Sequence, residues 1–186
     1  MANVDRPRGL EPIGPLLSVR EYKVVAAYAQ DLFIGDPVVA IATGRDVEIA
    51  TAGTGNAILG AIVGIYDSNK VALPYWDSGH AGEGYIMVAD HPDQLFVCQG
   101  DGDTSYLDEN DCNGNIDLVS GTGSTVYYRS GWELDDSDTG ANTAGDQIRL
   151  IRPQDRPDNT IAIANCDWIC KINNHQGLQG IVGAGI

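Results

Sequence analysis

The sequence predicts a mainly β protein, built as an antiparallel β-sandwich or barrel with long loops. Its 23 glycines and 8 prolines in 186 residues indicate many turns. Between those turns lie short runs of β-branched, aromatic and other apolar residues, a pattern typical of strands. Apolar residues with helical spacing are not sustained over any long, capped stretch. We therefore predict a fold assembled from short strands, with little helix.

The length of the chain suits one domain with extended ends. A compact chain of this length buries roughly 70% of its unfolded surface, which is enough for a core without disulfide bonds. We predict an extended N-terminal arm over residues 1–20, a single β domain over residues 21–175 and a Gly-rich C-terminal tail over residues 176–186. Prolines and glycines interrupt the apolar residues of the arm, so the arm needs main-chain hydrogen bonds to a partner or to the domain to become ordered.

Local patterns place the strands along the domain. The runs that predict strands are residues 22–27, 36–42, 47–52, 57–66, 85–89, 94–99, 116–119, 125–128, 147–152 and 167–173. Residues 57–66 are nearly all apolar, which predicts a strand buried on both faces. The sequence Asp-His-Pro-Asp at residues 90–93 favours a tight turn, so we expect the two strands beside it to form a hairpin.

The balance of charge excludes several classes of partner. The chain has 26 acidic and 11 basic residues and a formal net charge of −15, so nucleic-acid phosphates would repel it. The same charge disfavours anionic membranes, and the longest apolar run, residues 57–66, is far shorter than the ~20 residues of a spanning helix. The first residues lack the apolar run of a signal peptide, so we expect synthesis in a cytoplasm.

The reactive side chains do not predict an enzyme, and we assign no catalytic residue and no cofactor. A serine or cysteine nucleophile needs an oriented histidine, and the G-x-S-x-G signature is absent. His80 and His91 lie in predicted turns, and we expect hydrogen bonds of His175 to anchor the C-terminal end of the domain. Carboxylates are too numerous for sequence spacing alone to identify a hydrolase pair. We therefore keep a metal-dependent hydrolase only as the least favoured hypothesis for the function.

Two acidic loops, residues 101–117 and 135–146, raise the question of a cation site. Asp101, Asp103 and Ser105 alternate as in an EF-hand, but the required glycine and the final glutamate are missing, so an EF-hand is excluded. We assign no metal ligand. Two interpretations of these loops are left: an irregular Ca²⁺ or Mg²⁺ site, or charged loops that are only solvated. The cysteines lack C-x-x-C spacing and are expected to be free thiols, with metal binding as the alternative; they are Cys98, Cys112, Cys166 and Cys170.

Several segments spread over nearly the whole chain resemble a family of phage proteins. The segments are residues 2–9 (ANVDRPRG), 32–38 (LFIGDPV), 58–64 (ILGAIVG), 85–93 (YIMVADHPD), 131–135 (GWELD), 156–159 (RPDN) and 172–175 (INNH), together with Trp168. Their order and spacing resemble the head decoration or cement proteins encoded near the capsid genes of tailed bacteriophages. The resemblance implies a subunit on the finished shell, usually a homotrimer, that joins neighbouring major capsid protein subunits. It implies no catalytic residue.

That role predicts partners, location and an interface. The expected partners are the major capsid protein and other copies of this chain, and the expected location is the capsid exterior of a virion assembled in the host cytoplasm. The arm residues predicted to contact another chain are Arg6, Arg8, Leu10, Ile13, Leu16 and Leu17. The acidic insert near residues 100–115 and the cysteines depart from the family pattern.

An alternative function is calcium-assisted binding of carbohydrate or of a host surface by the β domain. The acidic loops motivate it, as do five aromatic residues: Tyr75, Trp76, Tyr127, Tyr128 and Trp132. For Trp132 and Trp168 we favour positions in the core over positions at a subunit contact.

Overall fold

The computed structural model describes residues 2–41, 45–103, 105–138 and 143–179, and the fold is mainly β, as predicted. The strands are β1 (Glu11–Ile13), β2 (Val19–Val24), β3 (Pro37–Ala40), β4 (Val47–Ile49), β5 (Gly60–Asp67), β6 (Gly84–Ala89), β7 (Leu95–Gln99), β8 (Asn115–Ile116), β9 (Leu118–Val119), β10 (Glu133–Leu134), β11 (Ile148–Pro153) and β12 (Asp167–Ile172). The helical elements in the described ranges are two 3-10 helices, Glu109–Asp111 and Asp136–Asp138, and α1 (Gln176–Gln179). None of these helices is long and apolar enough to cross a membrane. Residues 180–186 of the predicted tail lie outside the described residues.

The strands form two five-stranded antiparallel sheets and one two-stranded sheet. The first sheet has the order β1-β7-β12-β11-β8, the second has the order β2-β6-β5-β3-β4, and β9 pairs with β10. The second sheet curls far enough for Lys23 in β2 to bridge to Asp46 beside β4. Over the described residues, however, neither sheet closes into a barrel. Of the two predicted architectures, the structure agrees with the sandwich.

Two hydrophobic clusters form the core. The first cluster contains side chains of both five-stranded sheets, including Trp168 from the first sheet and Ala61 and Ala89 from the second. The second cluster lies on the other face of the second sheet and includes Ile62 and Val88. Neighbouring residues of β5 and β6 alternate between the clusters because successive side chains of a strand point to opposite faces. The predicted burial of β5 on both faces is confirmed.

The chain crosses from the second sheet to the first between β6 and β7, so the predicted hairpin is wrong. β6 pairs with β2 and β5, whereas β7 pairs with β1 and β12. The predicted turn is present, since the Gln94 N–H donates to the His91 carbonyl oxygen at 3.0 Å. At the end of β6, buried Asp90 accepts hydrogen bonds from the hydroxyls of Ser18 and Tyr22, which belong to the β2 side of the second sheet. The turn signal therefore marks a crossing between sheets.

Residues 125–128 form an exposed turn and not the predicted strand. Ser124 and Arg129 pair at its base, where the Ser124 N–H donates to the Arg129 carbonyl oxygen at 2.8 Å. The Tyr128 N–H closes the turn on the Ser124 carbonyl oxygen at 2.7 Å. Valine and tyrosine favour strands only where a neighbouring strand and burial reward them. This run is exposed, and the chain reverses within it.

The N-terminal segment, residues 2–17, packs on its own domain, which is one of the two ways in which the predicted arm could become ordered. β1 pairs with β7 at the edge of the first sheet. Leu10 is fully buried in the first cluster, and its N–H donates to the Gly35 carbonyl oxygen at 2.9 Å. The N-terminal segment lies so close to Gly35 that this position requires a glycine, because a Cβ there would lie 2.0 Å from the Arg8 carbonyl oxygen. Contacts within the chain therefore order this segment.

Candidate functional site

Two buried glutamine side chains fasten the N-terminal segment to β7. At the end of β7, Gln99 accepts a hydrogen bond from the Arg6 N–H at 2.8 Å and donates one to the Val4 carbonyl oxygen at 2.9 Å. Just before β7, Gln94 accepts a hydrogen bond from the Leu17 N–H at 3.0 Å. A carboxamide offers both donors and acceptors, so each side chain satisfies main-chain groups of a segment that has little regular structure.

The structure divides the predicted interface residues into buried and exposed ones. Leu10 has no exposed surface, so its side chain is not available to another chain in the folded protein. Arg8 is largely buried and pairs with Asp167, with a nitrogen-to-oxygen distance of 2.7 Å. Ile13 is partly buried in β1. The exposed or half-exposed members of the set are Arg6, Leu16 and Leu17.

An open groove of about 800 Å³ lies between the N-terminal segment and residues 122–130. We call it the N-terminal groove. Its walls include Val4, Asp5, Arg6, Pro7, Arg8, Glu11, Tyr127 and Arg129, and Glu11 pairs with Arg8. Tyr127 is 77% exposed, Val126 in the same turn is 75% exposed, and Val4 is 66% exposed, which makes them the most exposed large apolar side chains of the described residues. Exposed apolar groups beside arginines are typical of a surface that contacts another macromolecule.

Hydrogen bonds and an aromatic stack hold the turn that carries Tyr127 in place. Its Tyr127 N–H donates to the Ser124 hydroxyl at 3.1 Å. Tyr128 has a φ of 55°, in the left-handed region that bulky residues seldom adopt, and such conformations persist mainly where surrounding structure enforces them. The Tyr128 ring stacks on Tyr75 at 5.9 Å between centroids, and Tyr75 stacks on Phe33 at 5.2 Å. The stack fixes the turn and leaves Tyr127 exposed.

The two acidic loops meet around the second 3-10 helix. The Asp101 N–H donates to the Leu134 carbonyl oxygen and the Asp135 N–H donates to the Asp117 carbonyl oxygen, both at 3.0 Å. Two groups of three carboxylates result, and within each group one oxygen per residue lies within 4.8 Å of the others. The first carboxylate cluster is Asp101, Asp103 and Asp136, and the second carboxylate cluster is Asp117, Asp138 and Asp146.

Negative charge in the first carboxylate cluster is only partly compensated. Asp136 is 2% exposed; its Oδ2 accepts a hydrogen bond from the Gly102 N–H at 2.9 Å, and its buried Oδ1 has no donor among the described residues. Burial, together with the adjacent Asp101, raises the pKa of Asp136 to about 8. Burial also raises the pKa of Glu133 to about 7, with smaller contributions from Asp5 and Asp101.

The second carboxylate cluster is surrounded by donors. Asp117 accepts hydrogen bonds from the Gln147 N–H at 3.0 Å and from the Thr54 hydroxyl at 2.6 Å. Asp146 accepts one from the Thr143 N–H at 2.6 Å. Hydrogen bonds to a carboxylate stabilise its charged form, so these carboxylates are satisfied by the protein itself.

His175 joins the end of β6 to the C-terminal end of the domain through hydrogen bonds, as predicted. It is buried, its Nε2 lies 3.2 Å from the Asp90 carbonyl oxygen, and its Nδ1 accepts a hydrogen bond from the Gly177 N–H at 3.0 Å. The ring is therefore neutral, with its proton on Nε2. Burial lowers the pKa of His175, which agrees with a neutral ring.

The cysteines are free, and three of them are buried. Cys98, Cys166 and Cys170 belong to the first hydrophobic cluster. Burial raises the pKa of Cys166 to about 11 and that of Cys170 to about 12. Burial therefore favours the neutral thiol form of Cys98, Cys166 and Cys170.

The aromatic residues that motivate carbohydrate binding are unequally exposed. Trp76 and Trp132 are buried, and Tyr75 is committed to the aromatic stack. Trp132 and Trp168 both lie in the first hydrophobic cluster, which confirms the predicted core positions. Tyr127 presents the largest exposed aromatic surface in the set.

No family model matches this chain, and no curated protein and no solved structure matches it. Neither the N-terminal groove nor the carboxylate clusters could be predicted from sequence spacing, because each combines segments far apart in the chain. Two signals were present in the sequence nonetheless: a β-prone run at residues 125–128, and aspartates in both acidic loops.

Proposed function

We propose that this chain is a structural protein that attaches to the outer surface of a tailed-phage capsid, as a homotrimer, and joins neighbouring major capsid protein subunits. The observation that carries the proposal is the N-terminal groove with its exposed turn. Residues 4–8 form one wall of the groove, and they belong to segment 2–9, which resembles the decoration proteins. The other wall presents Tyr127, and Val126 is exposed beside it in the same turn.

The groove suits a peptide segment with acidic and apolar side chains. Arg6 is exposed on its wall, and guanidinium groups bind carboxylates through paired, charge-assisted hydrogen bonds. Apolar side chains of the segment would cover Tyr127 and Val126 and remove them from water. Because a shell presents many identical sites, modest affinity at each copy is sufficient for stable decoration by a trimer.

The edge of the first sheet is less suited to this attachment. β1 is three residues long, and its central residue, Pro12, has no N–H to donate to an added strand. Short edge strands that contain proline resist pairing with other chains. The groove and its turn are therefore the contact surface in this proposal.

Binding to undecorated shells tests the proposal. We expect the purified chain to bind expanded shells of the phage that encodes it and to raise the temperature at which filled shells release DNA. The double variant Val126→Ser, Tyr127→Ser should lose most of this binding. Val71→Ser is the matched control, because Val71 is also exposed, at 58%, but lies in the connection between β5 and β6.

Two outcomes would contradict the proposal. If the unmodified chain neither binds shells nor shifts their heat stability, the capsid role is wrong. If the double variant and Val71→Ser bind equally well, the N-terminal groove is not the contact surface.

The exposed ring of Tyr127 favours a second candidate function, binding of carbohydrate or of a host surface. An exposed tyrosine combines an apolar face with a polar tip, which suits recognition of polar ligands. A glycan array with and without Ca²⁺ tests this function. If the chain binds shells and no specific glycan, carbohydrate binding is wrong and the capsid role is the candidate function that is left.

A further inference from the structure

We propose that the first carboxylate cluster, Asp101, Asp103 and Asp136, binds a divalent cation and that Ca²⁺ fits it best. One oxygen from each residue lies within 4.8 Å of the other two. Oxygen ligands lie about 2.3–2.6 Å from Ca²⁺, so two ligands of one ion are separated by at most about twice that distance. The three oxygens are therefore close enough to share one ion.

A second observation is that one buried oxygen of Asp136 lacks a hydrogen-bond partner. Asp136 is 2% exposed, and its Oδ1 has no hydrogen-bond donor among the described residues. A buried carboxylate oxygen without a partner is costly, and native structures seldom leave one uncompensated. The Gly102 N–H holds the other oxygen, Oδ2, at 2.9 Å, which orients the carboxylate. A bound cation would supply the missing partner.

The arrangement of the three aspartates favours Ca²⁺ over Mg²⁺ as the ion in this proposal. Asp101 and Asp103 come from the first acidic loop and Asp136 begins the 3-10 helix of the second, so the ligand set is irregular. Ca²⁺ accepts irregular sets of six to eight oxygens, including water, whereas Mg²⁺ requires nearly ideal octahedral geometry. Asp103 is exposed, which leaves room for water ligands on that side.

The second carboxylate cluster provides an internal comparison. Its buried members, Asp117 and Asp146, receive hydrogen bonds from main-chain N–H groups and from hydroxyls. No buried oxygen of this cluster lacks a hydrogen-bond partner, although burial and the neighbouring carboxylates raise the pKa of Asp138, and the proposal is restricted to the first cluster. A proton shared between Asp136 and Asp101 is the competing way to relieve the same repulsion.

Calcium titration of the full chain, freed of metal with a chelator, tests the proposal. We expect calorimetry to show one Ca²⁺ per chain and thermal unfolding to occur at a higher temperature than in NaCl of equal ionic strength. Asp136→Asn and Asp103→Asn should weaken binding by roughly tenfold or more, since each removes a charged ligand. Asp138→Asn is the matched control: it lies on the same 3-10 helix but belongs to the second cluster, and it should change the affinity by less than about twofold.

Three results would overturn the proposal. One is no Ca²⁺ uptake at millimolar concentration, which would leave the shared proton as the occupant. Another is a rise in unfolding temperature that NaCl reproduces in full, which would indicate general screening. The third is loss of binding in Asp138→Asn with retention in Asp103→Asn. Because Asp103 is exposed, its substitution does not endanger the fold if Asp136→Asn fails to fold. The isolated chain is used throughout, so the result is independent of capsid attachment.

Discussion

Buried carboxylates are compensated in different ways at different positions of this fold. Asp167 pairs with both Arg8 and Arg156, at 2.7 and 3.0 Å. Asp90 accepts hydrogen bonds from two hydroxyls and from Arg20, and burial with this contact raises the pKa of Tyr22 to about 12. Asp36, by contrast, accepts hydrogen bonds from neutral donors.

Asp36 should make the protein less stable as pH rises. Burial raises its pKa from 3.8 to about 6, opposed by hydrogen bonds from the Ser130 hydroxyl and the Phe33 N–H. The folded state then binds the proton more tightly than the unfolded chain, so this contribution is fully present below about pH 4 and is lost as pH rises to about 6. Asp36→Asn removes this ionisation. As pH rises from about 4 to above 6, the free energy of unfolding of the variant, measured relative to that of the natural chain, should increase by roughly 2–3 kcal/mol.

Urea unfolding at several pH values measures the difference. Asp155→Asn serves as the control because Asp155 is exposed. A constant offset between Asp36→Asn and the natural chain, the same at every pH, would mean that Asp36 does not titrate in this range.

The N-terminal segment behaves as an element of the fold, although it contains only one short strand. It contributes Leu10 to the first hydrophobic cluster and β1 to the first sheet, and buried glutamines hold its main chain. Removal of residues 2–17 would therefore take away part of the core. A deletion of this kind does not separate binding from folding, whereas substitutions of single side chains do.

Two leucines of the segment give a sharp comparison. Leu10→Ala should destabilise the protein by about 2–5 kcal/mol, because it empties space in the core. Leu16→Ala removes the same atoms from a side chain that is 54% exposed and should cost less than about 0.5 kcal/mol. Denaturant unfolding of both variants measures this. Equal and small effects would show that the segment does not pack on the domain in solution.

Elements with strong local patterns could be predicted from the sequence, and those fixed by distant partners could not. β5 is an example of the first kind, since a run of apolar residues between turn signals is sufficient to indicate a buried strand. The turn at residues 90–93 is an example of the second, because its local signal does not tell whether the next strand joins the same sheet. The run at residues 125–128 was mistaken for a strand because β propensity does not indicate exposure.

The candidate sites follow the same division. The sequence identified the acidic loops as loops, but it did not show whether their carboxylates come together to form a cation site. Their grouping depends on main-chain bonds such as that from Asp101 to Leu134, which join distant parts of the chain. The groove likewise forms only when residues 4–8 are brought beside Arg129.

At the scale of the whole molecule, the dominant feature is a net charge of −15 on a compact body. Folding brings acidic groups together, most closely around the second 3-10 helix, where two clusters of three aspartates lie side by side. Repulsion among like charges opposes the compact state more than the expanded one. The stability of the isolated chain should therefore depend on ionic strength.

Salt should raise the stability of this chain whatever the cation. Raising NaCl from ~0.01 M to ~0.15 M shortens the screening length from ~30 Å to ~8 Å, which weakens repulsion across the molecule. We expect the unfolding temperature to rise, and to rise equally in KCl and in choline chloride, since screening does not depend on the identity of a monovalent cation. Calcium at the same ionic strength should add a further increase, which Asp136→Asn should reduce because it weakens binding. An unfolding temperature that stays constant or falls with NaCl would show that the acidic groups are too far apart, or too well paired, for repulsion to limit stability.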